Sequence, residues 1–300
     1  MVFKIRPRAF VRGAGALLLG TVVLLTIWLT PSIFGAATGN AVSTESGDSD
    51  GLSLPILMYH GILEKGKLLG QYVVSAAEFE SDLQYLTSHG YTTVVMQDVI
   101  DYVKTEKPLP EKPVMITFDD GYYNNYAYAF PLLQKYNCRM VLSPIGKWAE
   151  FYSQTEEAHV NYSHATFPQL KEMMDSGLVE IQNHSYNMHS TDGGRKGAKK
   201  KAVESLSEYQ AALSEDVGHM QRLLQEEIGY TPTTFTYPFG AISREALPIL
   251  KELGFEAALT CESRVNRLTH DPECLYRLGR YLRPHGISAE QFFTKTVKLS

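Results

Sequence analysis

The chain has 300 residues, 44% hydrophobic and 20% charged, with 33 acidic against 28 basic side chains. That is ample apolar material for one sizeable core and excludes a disordered chain outside short segments. Past residue 37 only 24 of the basic residues remain against all 33 acidic ones, so no nucleic-acid partner is expected.

The N-terminus stands apart. Lys4, Arg6, Arg8 and Arg12 precede an uncharged apolar run from Gly13 to Thr30. Residues 1–37 therefore read as a secretory signal, with the small residues of "FGAAT" offering cleavage after Ala37, or as a membrane anchor left in place. The basic flank keeps that end in the cytoplasm either way, so the remainder is expected to be exported, either secreted or tethered to the membrane by this segment. Residues 38–53 are small, polar and acidic and read as a flexible spacer before a folded domain over 54–300. Three cysteines allow at most one bridge, with Cys261 and Cys274 either paired or left as buried free thiols. Nothing in the sequence specifies a protein partner or an oligomeric state.

From Leu54 onward strands and helices alternate. "LPILMYH" is a short apolar run; Ser75, with Glu78 three residues on, opens a helix that Gly90 stops. "YTTVVM" and "PVMITF" read as strands, followed by the helical "QDVIDYVKT" and "NNYAYAFPLLQKY". Next come "RMVLSPI" as a strand, "FPQLKEMMDSG" as a helix, "LVEIQ" as a strand and "SLSEYQAALSEDVGHMQRLLQEEIG" as a long amphipathic helix. "TTFTYPFG" (strand and turn), "SREALPILKELG" (helix), "FEAALT" (strand) and "LYRLGRYL" (final strand) complete the pattern. About seven such units favour a single α/β domain, a barrel before an open doubly wound sheet. The chemistry of a barrel gathers where strands end, which directs attention to His60, Asp119, Asp120, His184, His189 and the "YPFG" turn.

Asp119 and Asp120 close the apolar run "VMITF". In mid-strand they would face opposite layers; at the strand end, before Gly121, both can reach the rim. Carboxylates that close repel unless a cation lies between them, and a metal is the simplest resolution. His184 and His189 supply two imidazoles, which with one carboxylate make a facial triad for zinc, cobalt, nickel or iron.

"TFDDG", "NHSYNMH" and "TYPFG", in that order on this strand-helix background, resemble the polysaccharide deacetylase family, the NodB-homology domain of carbohydrate esterase family 4. "PILMYHGI" and "FESDLQYLTSHGYTTV" are most similar to its poly-N-acetylglucosamine de-N-acetylase branch. The resemblance implies a distorted (β/α)7 barrel and a metal-dependent hydrolase that removes acetyl groups from an N-acetylated polysaccharide, peptidoglycan or poly-N-acetylglucosamine-like. By the same resemblance Asp119 is the general base, Asp120, His184 and His189 hold a divalent metal, zinc first among the four, and the backbone N–H of Phe239, after Pro238, faces the oxyanion. Tyr122 joins these as a substrate-side residue, and Tyr237, by its position in the turn, joins either for substrate contact or only for shape.

The chain departs from the family at three points. Thr236 stands where an arginine orients the base, which leaves Arg280 or Arg277 for that task. The usual fourth motif is replaced by "CESRVNRL". The late histidine that serves as general acid has no clean match, which leaves His60, preferred because it ends a strand, or His285. Tyr122, Tyr123, Tyr126 and Tyr128 are either a sugar platform or packing residues, and "RKGAKKK" (195–201) either an anion-binding loop or a solvated one. The alternatives to deacetylation of an amide are an O-acetyl glycan esterase and a catalytically weak glycan-binding descendant. A glycosidase fares poorly, because adjacent carboxylates cannot flank a glycosidic bond at the roughly 5 Å or more that reaction needs.

Overall fold

The structure, a computed structural model, describes residues 51–155 and 157–299. The basic flank, the apolar run and the spacer as far as residue 50 lie outside the described residues. Among the described residues no helix is long and apolar enough to cross a membrane.

In chain order the strands are β1 (Leu52–Leu54), β2 (Ile56–Tyr59), β3 (Gly61–Leu63), β4 (Val73–Ser75), β5 (Thr92–Val94), β6 (Pro113–Asp120), β7 (Met140–Pro144), β8 (Val179–Ile181), β9 (Thr234–Thr236), β10 (Ala257–Leu259), β11 (Asn266–Leu268) and β12 (Tyr281–Leu282). The helices that matter here are α1 (Ala76–Ser88), α2 (Met96–Thr105), α3 (Phe130–Tyr136), α4 (Gly146–Thr155), α5 (Phe167–Asp175), α6 (Leu206–Ile228) and α7 (Ala246–Glu252). β6, with all eight residues buried, is the continuous apolar run of a strand covered on both faces.

Seven parallel strands make the barrel. One ladder runs β12-β2-β6-β7-β8 and a second pairs β9 with β10. Single parallel bridges, Asn183 beside Phe235 and Leu259 beside Leu278, join the two ladders into a ring. Backbone bonds from Thr236 N to Asn183 O (2.8 Å) and from Thr260 N to Leu278 O (2.8 Å) reinforce those seams. The ring is thus the distorted (β/α)7 barrel expected, joined at two one-residue seams. β5 pairs with the first half of β6, and β1 pairs antiparallel with β11. Among the described residues the first strand, β1, starts at Leu52.

Local signals place the helices. Ser75 and Glu78 form the reciprocal capping box of α1: Glu78 N donates to Ser75 Oγ at 3.1 Å, and Ser75 N to Glu78 Oε2 at 2.8 Å. The same device opens α5 at Thr166 and α6 at Ser205, and α6 ends on Gly229 at φ 72°. The α1 and α5 faces pack on β2, β6, β7 and β8 through Phe79, Leu83, Phe118, Leu142, Leu170 and Ile181, all fully buried.

Two expectations change. The α4 helix follows β7 directly, where no helix was expected. "LYRLGRYL" is not one strand: Pro272–Arg277 forms 3-10 turns, and only Tyr281–Leu282 pairs as a strand. The break falls at Gly279, whose N–H and C=O are both taken by the Asn266 side chain. A Cβ there would lie 2.5 Å from Glu262 O, so the close approach admits only glycine.

Candidate active site and metal centre

β6 delivers both aspartates to the C-terminal rim. Strand alternation is broken at Asp120 itself, whose φ of 70° is left-handed, and Gly121 follows at 75°. A Cβ on Gly121 would sit 2.6 Å from Pro144 Cβ, so β7 leaves room for glycine alone. A left-handed non-glycine costs on the order of 1–3 kcal/mol, and here it turns Asp120 into the same cup as Asp119.

Asp120 Oδ1 lies 3.5 Å from His184 Nε2 and 3.4 Å from His189 Nε2. Regular β8 stops at Ile181, so His184 stands three residues past the strand, just beyond the seam at Asn183. His184 Nδ1 is 2.8 Å from Thr236 O. A carbonyl only accepts, so Nδ1 carries a hydrogen, and Nε2 is the nitrogen turned toward Asp120. Asp120 Oδ1 is buried without a hydrogen-bond donor. An orphaned carboxylate oxygen facing two imidazole nitrogens, with ligand atoms all within 4.8 Å of one another, is a donor set that fits a divalent cation. Burial pushes the Asp120 carboxyl up, and His184, His60 and His189 more than offset it, holding it far below the usual range.

Asp119 is 2% exposed and held from the other side. Arg280 Nη1 donates to Oδ1 at 2.7 Å and Nη2 to Oδ2 at 2.8 Å, a bidentate pair. The guanidinium also donates from Nε to Thr260 O (2.9 Å) and from Nη1 to Thr117 Oγ1 (3.0 Å). Burial raises the Asp119 pKa, and the Arg280 charge turns the net shift downward. Arg277 points elsewhere, pairing with Glu262 at 2.7 Å. Thr236 contributes its carbonyl to His184, and its hydroxyl lies 2.8 Å from Ser143 Oγ.

His60 follows β2 beside this pair, with Nε2 4.0 Å from Asp119 Oδ2 and Nδ1 buried without a partner. Burial lowers its pKa against the pull of Asp119 and Asp120. His285 is on the outside, with Nδ1 2.6 Å from Glu78 Oε2. His60, Asp119, Asp120, Tyr122, His189 and Phe239 line one pocket of about 590 Å³. Phe239 is left-handed at φ 57°, and its ring lies 4.2 Å from that of His189.

Of the two roles its turn position left open to Tyr237, substrate contact or shape, the structure favours shape. Its ring is 2% exposed and packs edge-on to Phe235 in the core shared with α6 and α7, so any contribution to the pocket is one of shape. Pro238 is likewise buried. Of the four tyrosines after the motif, Tyr123 lies beside Tyr126, Tyr126 donates to Glu172 and packs with Phe130, and Tyr128 packs on the core, and of these only Tyr122 lines the pocket. In the basic loop Arg195 pairs with Glu204, whereas Lys196 lines the pocket. Cys261 also lines it and Cys274 bonds Thr269 O, both as free thiols. Ser263 and Tyr72 escaped sequence reading, and Lys196 and Cys261 were read only as part of a basic run and as a cysteine, because each reaches the pocket from a loop with no periodic or motif signal.

Residues 106–258 match the family described as polysaccharide deacetylase. The poly-beta-1,6-N-acetyl-D-glucosamine N-deacetylase of Escherichia coli is 28% identical over 215 residues, covering 63% of this chain and 31% of that protein. The protein of the same name from Staphylococcus aureus is 27% identical over 202 residues, covering 66% and 64% respectively. The chain thus spans less than two thirds of the length of these curated relatives. A de-N-acetylase from Aggregatibacter actinomycetemcomitans superposes with TM-score 0.67 and 28% identity over 82% of this chain and 98% of that one. IcaB from Ammonifex degensii does so with TM-score 0.66 and 29% identity, covering 82% and 96%. The matched region is half of the chain and contains the paired aspartates, both histidines and the "TYPFG" turn: the chain belongs to the polysaccharide deacetylase family.

Proposed function

We infer that this chain is an exported, metal-dependent N-deacetylase of a poly-N-acetylglucosamine-type glycan. The observation that carries the reading is the division of labour at the end of β6. Asp120 completes a three-ligand set with His184 and His189, while Asp119, one residue away, is held by Arg280. A site that only bound metal would need no ionised second carboxylate. The names of the relatives, poly-beta-1,6-N-acetyl-D-glucosamine N-deacetylases, support the substrate class.

Asp120, His184 and His189 would hold the ion, which when bound polarises a water and the acetyl carbonyl. Zinc suits two imidazoles and a carboxylate, as do cobalt, nickel and iron. Asp119 takes the proton of the attacking water, and its tie to Arg280 fixes the carboxylate's direction. As the C–O bond forms, the Phe239 N–H faces the developing oxyanion. His60, which lines the pocket with Nε2 4.0 Å from Asp119 Oδ2, relays that proton to the departing nitrogen as the C–N bond breaks. Acetate and a free amine leave. The N-terminal basic and apolar segments support export, which would bring the domain to extracellular polymer.

The test is incubation of the protein with N-acetylglucosamine oligomers and zinc, cobalt or nickel, following acetate and product mass. Oligomers of unchanged length that lose acetyl groups, with loss of turnover on chelation and on Asp119→Asn, support the reading. Shortened oligomers would mean glycosidic cleavage, and metal binding without turnover on any N-acetylated glycan would sink the enzyme assignment.

A further inference from the structure

Arg280 reaches Asp119 from the residue before β12; upstream the segment is held by Asn266 on Gly279 and by the Arg280 N–H on Glu262 O at 2.8 Å, but downstream the strand itself is short. β12 pairs with β2 through two residues only, Tyr281 beside Leu57 and Leu282 beside Met58. So short a ladder specifies register weakly, and a slip of one residue would turn Arg280 out of the barrel. Three residues on, and so on the opposite face, lies Arg283. It is 1% exposed and donates from Nε to Asp82 Oδ2 at 2.8 Å and from Nη2 to Asp82 Oδ1 at 3.0 Å. Tyr59 donates its hydroxyl to the same Oδ2 at 2.9 Å. Asp82 belongs to α1 and is fully buried.

These outward groups back the site residues strand by strand. Tyr59 precedes His60 on β2, and Phe118 precedes Asp119 on β6; their rings stack at 5.1 Å and both meet Phe79 of α1 edge-on. Arg283 completes the row behind Arg280, and its N–H donates to Met58 O at 3.0 Å. A buried ion pair adds little net stability over apolar residues of the same volume. What it supplies here is a fixed bidentate geometry between helix and strand, which apolar contacts leave free to slide.

We propose that the buried Tyr59, Asp82 and Arg283 unit is a positioning device for the deacetylase: it locks residues 280–283 against β2 and α1 and so holds the Arg280 guanidinium on Asp119. Its kinetic consequence rests on the function proposed above, and its structural consequence on geometry alone.

Two variants of the full chain test this: Asp82→Asn, and the apolar pair Asp82→Leu with Arg283→Met, which keeps the core filled. Each is expected to lower kcat on an N-acetylglucosamine oligomer by about ten- to a hundredfold, with KM and bound metal unchanged. In an Arg280→Lys background Asp82→Asn is expected to add little further loss of kcat, while its effect on Tm persists. In the crystal structure of the apolar pair at least one Arg280 to Asp119 contact is expected beyond hydrogen-bond distance. Equal kcat losses in both backgrounds, or a crystal structure with both contacts retained, overturn the proposal. If the unmodified protein releases no acetate, the functional reading fails, and the crystal structure of the variant alone decides the positioning claim.

Discussion

At the residue scale the decisive object is the carboxylate pair with its unequal partners. Asp119 is outside the ligand triad, so Asp119→Asn is expected to retain stoichiometric metal and to lose acetate release by about 10²–10⁴-fold, read by metal analysis and an acetate assay on the same sample. His184→Ala should instead lose the metal, because its Nε2 is one of three atoms grouped closely enough to hold an ion and its Nδ1 hydrogen bond to Thr236 O orients the ring. Retained metal in that variant would refute the ligand set. Arg280→Met leaves Asp119 buried with no counter-charge and is expected to cost about 3–5 kcal/mol in urea unfolding at neutral pH, far more than the same change at exposed Arg277. The residue pair and its histidines were legible in the sequence because adjacent like charges at a strand end call for a cation. The choice between Arg280 and Arg277 was not: they lie three apart on one segment, and only the break at Gly279 sends one inward.

At the scale of elements, α1 joins the barrel through its cap as well as its face. Glu78 accepts from Ser75 N, from His285 and from Gly286 N. Burial pushes its carboxyl up, and these bonds more than offset that, holding it at about 2 against an ordinary 4.5. The depressed value means that the stability it contributes is full above pH 4.5 and is lost as the pH falls through about 2. Glu78→Gln is expected to cost about 1–2 kcal/mol at pH 7 in urea titrations, with the gap to the unmodified protein closing toward pH 2. A gap independent of pH would assign the loss to packing. Caps of this kind are local chemistry, and α1 was readable from Ser75 with Glu78 three residues on, whereas α5 and α6 were readable from their apolar periodicity and the structure adds caps at Thr166 and Ser205. α4 was not readable, since it starts at Gly146 with no side-chain cap signal and is held by bonds from Gly146 N and Lys147 N to Ser185 O and Tyr186 O on a distant loop.

For the molecule as a whole, the barrel closes at two seams rather than along full ladders. Asn183 carries one of them: its side chain donates to Val217 O and Gln221 Oε1 at 3.2 Å and accepts from Ser185 N at 2.8 Å, fully buried. Asn183→Ala strands those groups and is expected to cost about 2–3 kcal/mol, or roughly 4–12 °C in Tm for a domain of this size, and to weaken metal binding through the neighbouring His184. Calorimetry with metal titration checks both, and an unchanged metal affinity would uncouple the seam from the site.

The sequence by itself determined the alternation of strands and helices, the barrel, the paired aspartates and the two histidines, because periodicity, caps and charge repulsion act over a few residues. Only the tertiary structure decided that Asp120 turns left-handed into the cup, that Tyr237 faces the core while Lys196 and Cys261 face the pocket, and that the guanidinium beside Asp119 comes from Arg280. Each of these depends on segments far apart in the chain meeting at van der Waals distance, as Gly121 meets Pro144 and Gly279 meets Glu262, and no local pattern encodes such a meeting.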